Sequence, residues 1–258
     1  MKDDDNSTAK LILPNQRNEA IITYTNDDFV VGRNNFRLYS LESVNNVNIL
    51  VSLSLTPPFN PQTMAIIGDS FSAFTGYIPD GYDSWYINPG NAVSKVEDMW
   101  WYKFCKETGC RIGDRNNSFS GTCICKTTRP GQENVSFVDR VSLIKDADLV
   151  IIEGGTNDNN IGVPMGNYQY SDWTPSDLLN FRPALAYVID YLQKHLVGSK
   201  IIFMLNNGLS IEINSSVGTI CDHYGVDILT LNNITKEEGH PNPLGHTQIK
   251  DQLLKFIR

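Results

Sequence analysis

Apolar and polar positions change their rhythm once along this chain, near residue 60. Before that point the pattern is strand-like and broken by turn residues. Ala20–Tyr24 and Phe36–Tyr39 are short candidate strands, and Val47, Ile49, Val51 and Leu53 alternate with mostly polar or smaller neighbours, the period of a half-buried strand. Residues 10–60 therefore read as a small β-rich extension, too short to bury a large core of its own. Residues 1–9 ahead of it are polar and acidic and read as a disordered tail. The boundary is Thr56-Pro57-Pro58-Phe59-Asn60-Pro61, where proline recurs.

From residue 61 to 258 strand and helix patterns alternate. Met64–Ile67 and Leu149–Ile152 are unbroken apolar runs, and Lys200–Leu205 and Val226–Leu231 are further strands. Helices are expected over about 93–108, 136–145 and 175–197, through Ile220, and from Pro243 onward. The one at 175–197 has Thr174 as its cap, Pro175 at its first position and an apolar stripe through Leu178, Phe181, Leu185, Val188, Ile189, Leu192 and Leu196. This alternation predicts an α/β fold, a three-layer α/β/α sandwich around a mostly parallel, flavodoxin-like sheet.

Composition narrows the function classes. With 21 basic and 29 acidic side chains the net charge is −8, which argues against nucleic acid or anionic lipid as a partner. No run reaches the roughly 20 apolar residues of a membrane span. The five cysteines cannot all pair within the chain. A Cys105–Cys110 bridge is compatible with their spacing, a Cys123–Cys125 bridge less comfortably so, and a set of reduced, buried thiols equally. No second Cys/His pair has the spacing of a zinc site, and no cofactor is implied.

The chemistry gathers at strand ends. Gly68-Asp69-Ser70-Phe71 follows the first apolar run, Gly154-Gly155-Thr156-Asn157-Asp158 follows the second, and His240-Pro241-Asn242 precedes the last helix. The carboxyl ends of parallel strands are where open α/β sheets bind ligands. Together with Gly121, these segments resemble the four ordered blocks of the SGNH (GDSL-type) hydrolases, over about residues 63–258. The resemblance implies Ser70 as nucleophile and His240 as its base. It also implies an oxyanion hole from the backbone N–H groups of Ser70 and Gly121 and the side-chain amide of Asn157. Gly121 suits that place because a side chain there would crowd an approaching acyl group. Each residue has a plainer use: Ser70 as a helix cap, Asn157 as a turn residue. His246 shares a helical face with Ile249 and Leu253 and reads as a packed residue, and Asp69 and Asp158 as residues that fix their loops.

The acid of the triad is where the match departs. Three residues before His240 the family usually has Asp; here the position holds Glu237. Two arrangements are open, Glu237 orienting the ring or a Ser–His dyad oriented by a backbone carbonyl. Aromatic residues in two loops, Tyr77, Tyr82 and Trp85 in one and Tyr170 and Trp173 in the other, are candidates for substrate binding, with loop packing as the alternative. They lean towards a glycan ester, and so to an O-acyl, chiefly O-acetyl, esterase acting on carbohydrate. An acyltransferase with the same serine and an idle glycan-binding module are the other readings. The acidic start of the chain resembles the stretch after the lipidated cysteine of some Gram-negative surface lipoproteins. That would imply an extracytoplasmic, lipid-anchored protein; an ordinary solvated tail is the alternative.

Overall fold

The computed structural model describes residues 59–257 throughout and, ahead of them, the backbone of four strands. The chain divides into two compact units, residues 1–59 and 60–258. In the first, β1 (Asn6–Ile12) pairs antiparallel with β2 (Glu19–Thr25), and β3 (Phe36–Tyr39) with β4 (Leu50–Leu53). Strand β1 starts at Asn6, inside the stretch expected as a tail; residues 1–5 and 47–49 of those expectations lie outside the described residues.

The second unit is built on five parallel strands: β5 (Met64–Gly68), β6 (Asn116–Ser118), β7 (Leu149–Glu153), β8 (Lys200–Leu205) and β9 (Asp227–Thr230). Their order across the sheet is β6-β5-β7-β8-β9. Counted along the sheet-forming strands this is the flavodoxin order, 2-1-3-4-5, with its topological switch between β5 and β7. Every residue of β5 and β7 is buried, which explains their unbroken apolar runs: a central parallel strand is covered on both faces. The register aligns Ile66 with Ile151, and Ile151 with Ile202.

Side chains alternate across the sheet. Ala65, Ile67, Val150, Ile152 and Phe203 join a core with α4 (Phe181–His195) and α5 (Ile211–Tyr224), through Leu185, Val188, Ile189, Val217 and Ile220. On the other face α1 (Trp100–Thr108) packs against α6 (Pro243–Ile257). Three layers result. Two short helices complete the unit, α2 (Phe137–Arg140), entered through a Ser136–Asp139 capping box, and α3 (Thr156–Ile161).

The helix expected over 175–197 is broken. Residues Asp177–Leu179 form a 3₁₀ turn, Asn180 is extended at φ −109° and ψ 146°, and α4 starts only at Phe181. Pro183 explains the break: in a continuous helix it would have no N–H for the Leu179 carbonyl and its ring would press on it, and that carbonyl instead accepts from the Thr127 hydroxyl at 2.7 Å. The apolar stripe from Phe181 onward is buried as the spacing requires.

Candidate active site

Strand β5 ends at Gly68, where a Cβ would lie 2.6 Å from Ser118 Oγ, so the chain can turn tightly towards the crevice beside β7. Asp69 and Ser70 follow, both buried. Asp69 accepts hydrogen bonds from the Phe71 N–H at 3.2 Å and from Asn157 Nδ2 at 3.1 Å. Beneath it, Glu153 at the end of β7 accepts from the Asp69 N–H and the Ser72 hydroxyl, each at 3.2 Å. Burial pushes the Asp69 carboxyl up to about 6, and burial beside Asp69 holds Glu153 well above its ordinary range. A buried polar layer thus fixes the backbone on which the serine stands.

The next loop along, after β6, carries Gly121. Its φ of +80° belongs to the left-handed region, and a Cβ there would lie 2.6 Å from Gln132 Nε2. Glycine is therefore favoured by backbone conformation, since the Gln132 side chain could swing aside. Arg140 holds this loop. Its five N–H donors all reach oxygens: the carbonyls of Val135, Asn117 and Gly68, the Asn117 side chain and the Thr122 hydroxyl. Asp158 adds hydrogen bonds from the N–H groups of Ile124 at 2.9 Å and Cys125 at 3.2 Å, so it ties down this neighbouring loop and not its own. Burial pushes the Asp158 carboxyl up to about 6. Among the described residues, the backbone N–H groups of Ser70 and Gly121 have no acceptor. Asn157 is more constrained than its sequence suggested. Its Nδ2 donates to Asp69 and, at 3.1 Å, to the Thr122 carbonyl, and its Oδ1 accepts from Arg129 Nη1 at 2.9 Å.

His240 reaches Ser70 from the opposite side. Nε2 lies 2.9 Å from Ser70 Oγ, and Nδ1 lies 2.9 Å from the carbonyl oxygen of Glu238. A carbonyl can only accept, so in the neutral ring the proton sits on Nδ1 and Nε2 is left to accept from the serine hydroxyl. The carbonyl is placed by a hairpin: β10 (Lys236–Glu237) pairs with β11 (His240–Pro241), and both loop residues, Glu238 at +48° and Gly239 at +74°, have positive φ. That is the sign pattern of a type I′ turn. Burial lowers the pKa of His240 below its ordinary value, and the Lys236 charge lowers it further, against the bond to Glu238.

Glu237 does not orient the ring. Its carboxylate accepts from the Ala92 N–H at 2.7 Å and from Asn242 Nδ2 at 3.0 Å, and those two bonds hold its pKa below the usual range. In the antiparallel pair Glu237 stands opposite His240, and its carboxylate is committed to the 88–93 loop and the start of α6. The ring is oriented by the carbonyl of the following residue instead.

These blocks can now be compared with known proteins. The family model for GDSL-like lipase/acylhydrolase matches residues 62–257. The chain belongs to this family. A solved protein of Bacteroides ovatus ATCC 8483, named as a GDSL-like lipase, is 40% identical, with a TM-score of 0.73 over 76% of this chain and 98% of its own. A second so named, from Bacteroides uniformis ATCC 8492, is 37% identical at the same TM-score, over 76% and 95%. Est24, a carbohydrate acetylesterase from Sinorhizobium meliloti, shares the fold at 14% identity and a TM-score of 0.51, over 76% and 98%. Among curated proteins no sequence matches this chain.

Within this GDSL-like hydrolase the five aromatic candidates separate. Trp85 stacks on His240, ring centroids 3.8 Å apart and planes at 11°. Tyr82 stacks on Phe119 at 4.7 Å with the Arg140 guanidinium nearby, and Tyr77 packs on Phe74 and Trp101. Tyr77 and Tyr82 line a cavity of about 520 Å³ with Asn116 and Asn117, to which Ser70, Asn157 and His240 do not contribute. Tyr170 stacks on His223 of α5 at 3.7 Å, and Trp173 packs edge-on against Tyr187 of α4. Those two pack their loop onto the α4/α5 layer; they are not brought to the Ser70–His240 pair. His246 is fully buried, and desolvation lowers its pKa to about 3. All five cysteines are free thiols. Among the described residues no group of three His, Cys, Asp or Glu could hold a metal ion, and no helix is long and apolar enough to cross a membrane.

Arg140 and Asn91 escaped the reading of the sequence, and the backbone carbonyl left open there as the orienting group is that of Glu238. Asn91 Nδ2 donates to the carbonyls of Glu237, His240 and Pro241 at 3.2–3.3 Å and so fastens the hairpin. Neither residue stands in a recognisable block, and a backbone carbonyl carries no residue signal.

Proposed function

We propose that this protein is a serine esterase that removes O-acyl groups, chiefly O-acetyl, from carbohydrate through an acyl-serine intermediate. The observation that carries the reading is the 2.9 Å contact of His240 Nε2 with Ser70 Oγ at the sheet's switch point. Ser70 Oγ attacks the acyl carbon as its proton passes to Nε2. The imidazolium is steadied by the Nδ1–H bond to Glu238. The tetrahedral oxyanion takes the N–H groups of Ser70 and Gly121, and Asn157 Nδ2 adds a third donor by trading the Thr122 carbonyl for it. Collapse breaks the bond to the sugar oxygen, which leaves with the proton from His240. Water, deprotonated by His240, then attacks the acyl carbon, releasing the carboxylic acid and restoring Ser70. No step calls on a metal ion.

The carbohydrate part of the reading rests on Trp85, a half-buried aromatic ring stacked on His240 beside the reacting pair. The shared fold with a carbohydrate acetylesterase is in keeping with it. The test is hydrolysis of p-nitrophenyl esters from acetate to octanoate by wild type and Ser70→Ala. Rates that fall with chain length and vanish in the variant are expected. Activity that survives in Ser70→Ala would remove the serine from the mechanism.

A further inference from the structure

Arg129 bonds directly to Asn157 and to the Gly121 carbonyl, and three of its five N–H donors are unused among the described residues. Its Nη1 donates to the Gly121 carbonyl at 2.7 Å and to Asn157 Oδ1 at 2.9 Å. Those two bonds consume both hydrogens of Nη1. The remaining edge, Nε–H beside an Nη2–H, has no acceptor among the described residues, and Arg129 forms no ion pair among them. That edge is the parallel pair of donors that matches the two oxygens of a carboxylate. Contrast Arg140 in the same layer, whose five donors are all satisfied by protein oxygens.

The surroundings agree in sign. On the far side of the crevice Lys236 bonds Asn206 Oδ1 at 2.9 Å and lies 5.1 Å from the centre of the Phe71 ring, also with no carboxylate among the described residues at ion-pair distance. Phe71 in turn lies edge-on to His240 at 5.6 Å. The neighbouring acids, Asp69, Glu153 and Asp158, are buried and engaged by N–H and hydroxyl donors. Among the described residues, two cations therefore stand beside the site with no acid at ion-pair distance.

We propose that Arg129 reads a carboxylate on the substrate, so that the ester cleaved is an O-acylated acidic sugar in preference to a neutral one. This rests on the esterase reading above. Anchored through Nη1, the guanidinium is already oriented, and a carboxylate seated on its free edge holds the sugar beside Asn157 and Ser70.

The experiment compares kcat/KM for an acetylated methyl glucuronoside, the matching acetylated methyl glucoside and its 6-sulfate, with p-nitrophenyl acetate as the control for the serine chemistry. Wild type should favour the uronate over the neutral sugar by about ten- to hundredfold, chiefly through KM, the range expected of a charge-assisted bidentate contact. Added salt should shrink that ratio. In Arg129→Gln the ratio should fall close to one, and Arg129→Lys should keep part of it. The ratio is internal to each protein, so general damage to catalysis cancels, and the wild-type ratio stands even where a variant folds poorly. Cleavage of p-nitrophenyl acetate with no preference between the sugars, or with neither sugar cleaved, would overturn this inference and spare the esterase. A ratio unchanged in Arg129→Gln, or a sulfate preferred to the carboxylate, would overturn it as well. Failure on every ester would remove both readings.

Discussion

The two halves of the candidate site are built on different principles. The half that carries Ser70, Gly121 and Asn157 is set in a buried polar layer of Asp69, Glu153, Asp158 and Arg140, where nearly every donor is matched to an acceptor. The half that carries His240 is a two-residue hairpin near the surface, held by Asn91, by the Glu237 carboxylate and by the stacked Trp85. The first resists movement because an unpaired polar group in that layer would pay its full desolvation cost. The second is positioned through backbone and stacking contacts. A rigid pocket of N–H donors faces a histidine whose tautomer is set by one carbonyl.

Removing a member of the buried half should cost the most. Asn157→Ala deletes the proposed oxyanion donor and also frees acceptors on Asp69 and Thr122. On the proposed mechanism kcat should fall by about 10²–10³, against a loss of stability of roughly 1–3 kcal/mol for the groups left unpaired. Kinetics and urea melts on the same preparation separate the two. A fall in kcat no larger than the fall in folded fraction would make Asn157 structural only.

The same contrast explains what could be seen in the sequence. Ser70, Gly121 and Asn157 lie just past β5, β6 and β7, and the apolar runs of two of those strands are continuous because the sheet is covered on both faces. The central place of those two strands, and so of the residues at their ends, follows from that. His240 was recognisable as a residue, but its orienting group was not, because the turn decides which oxygen faces Nδ1. In a type I′ turn the carbonyl of Glu238 points back at the ring while the Glu237 side chain leaves in another direction. Aromatic side chains gave the weakest signal. Trp85 and Tyr170 both stack on a histidine, His240 for one and His223 for the other, and only the fold distinguishes a ring at the site from a ring on the outer layer.

Glu237→Gln tests the hairpin half directly. The exchange keeps the shape and sets an NH₂ group against a donor at either Ala92 or Asn242, a small loss at a partly exposed position. With the Glu238 carbonyl as the orienting group, kcat should stay far from the roughly 10⁴-fold loss that follows when a direct triad carboxylate is neutralised. Steady-state rates with p-nitrophenyl acetate decide it. A loss of that size would mean that the carboxylate reaches the ring during turnover.

The smallest expected effect is electrostatic and concerns the base alone. His240 must be neutral to accept the serine proton, so kcat/KM rises with pH through the pKa of the free enzyme's imidazole. Burial first, and the Lys236 charge in addition, lower that pKa from its ordinary 6.5. The acid limb should therefore have its midpoint below 6.5, with the base still active where an exposed histidine would be half protonated. Lys236→Gln removes a positive charge that disfavours the imidazolium, so His240 should protonate more readily and the limb should move to higher pH. Burial persists in the variant, so the midpoint should remain below the ordinary value. A profile that stays in place, or moves to lower pH, would show that Lys236 does not act on the ring and that its charge is spent on Asn206 and Phe71.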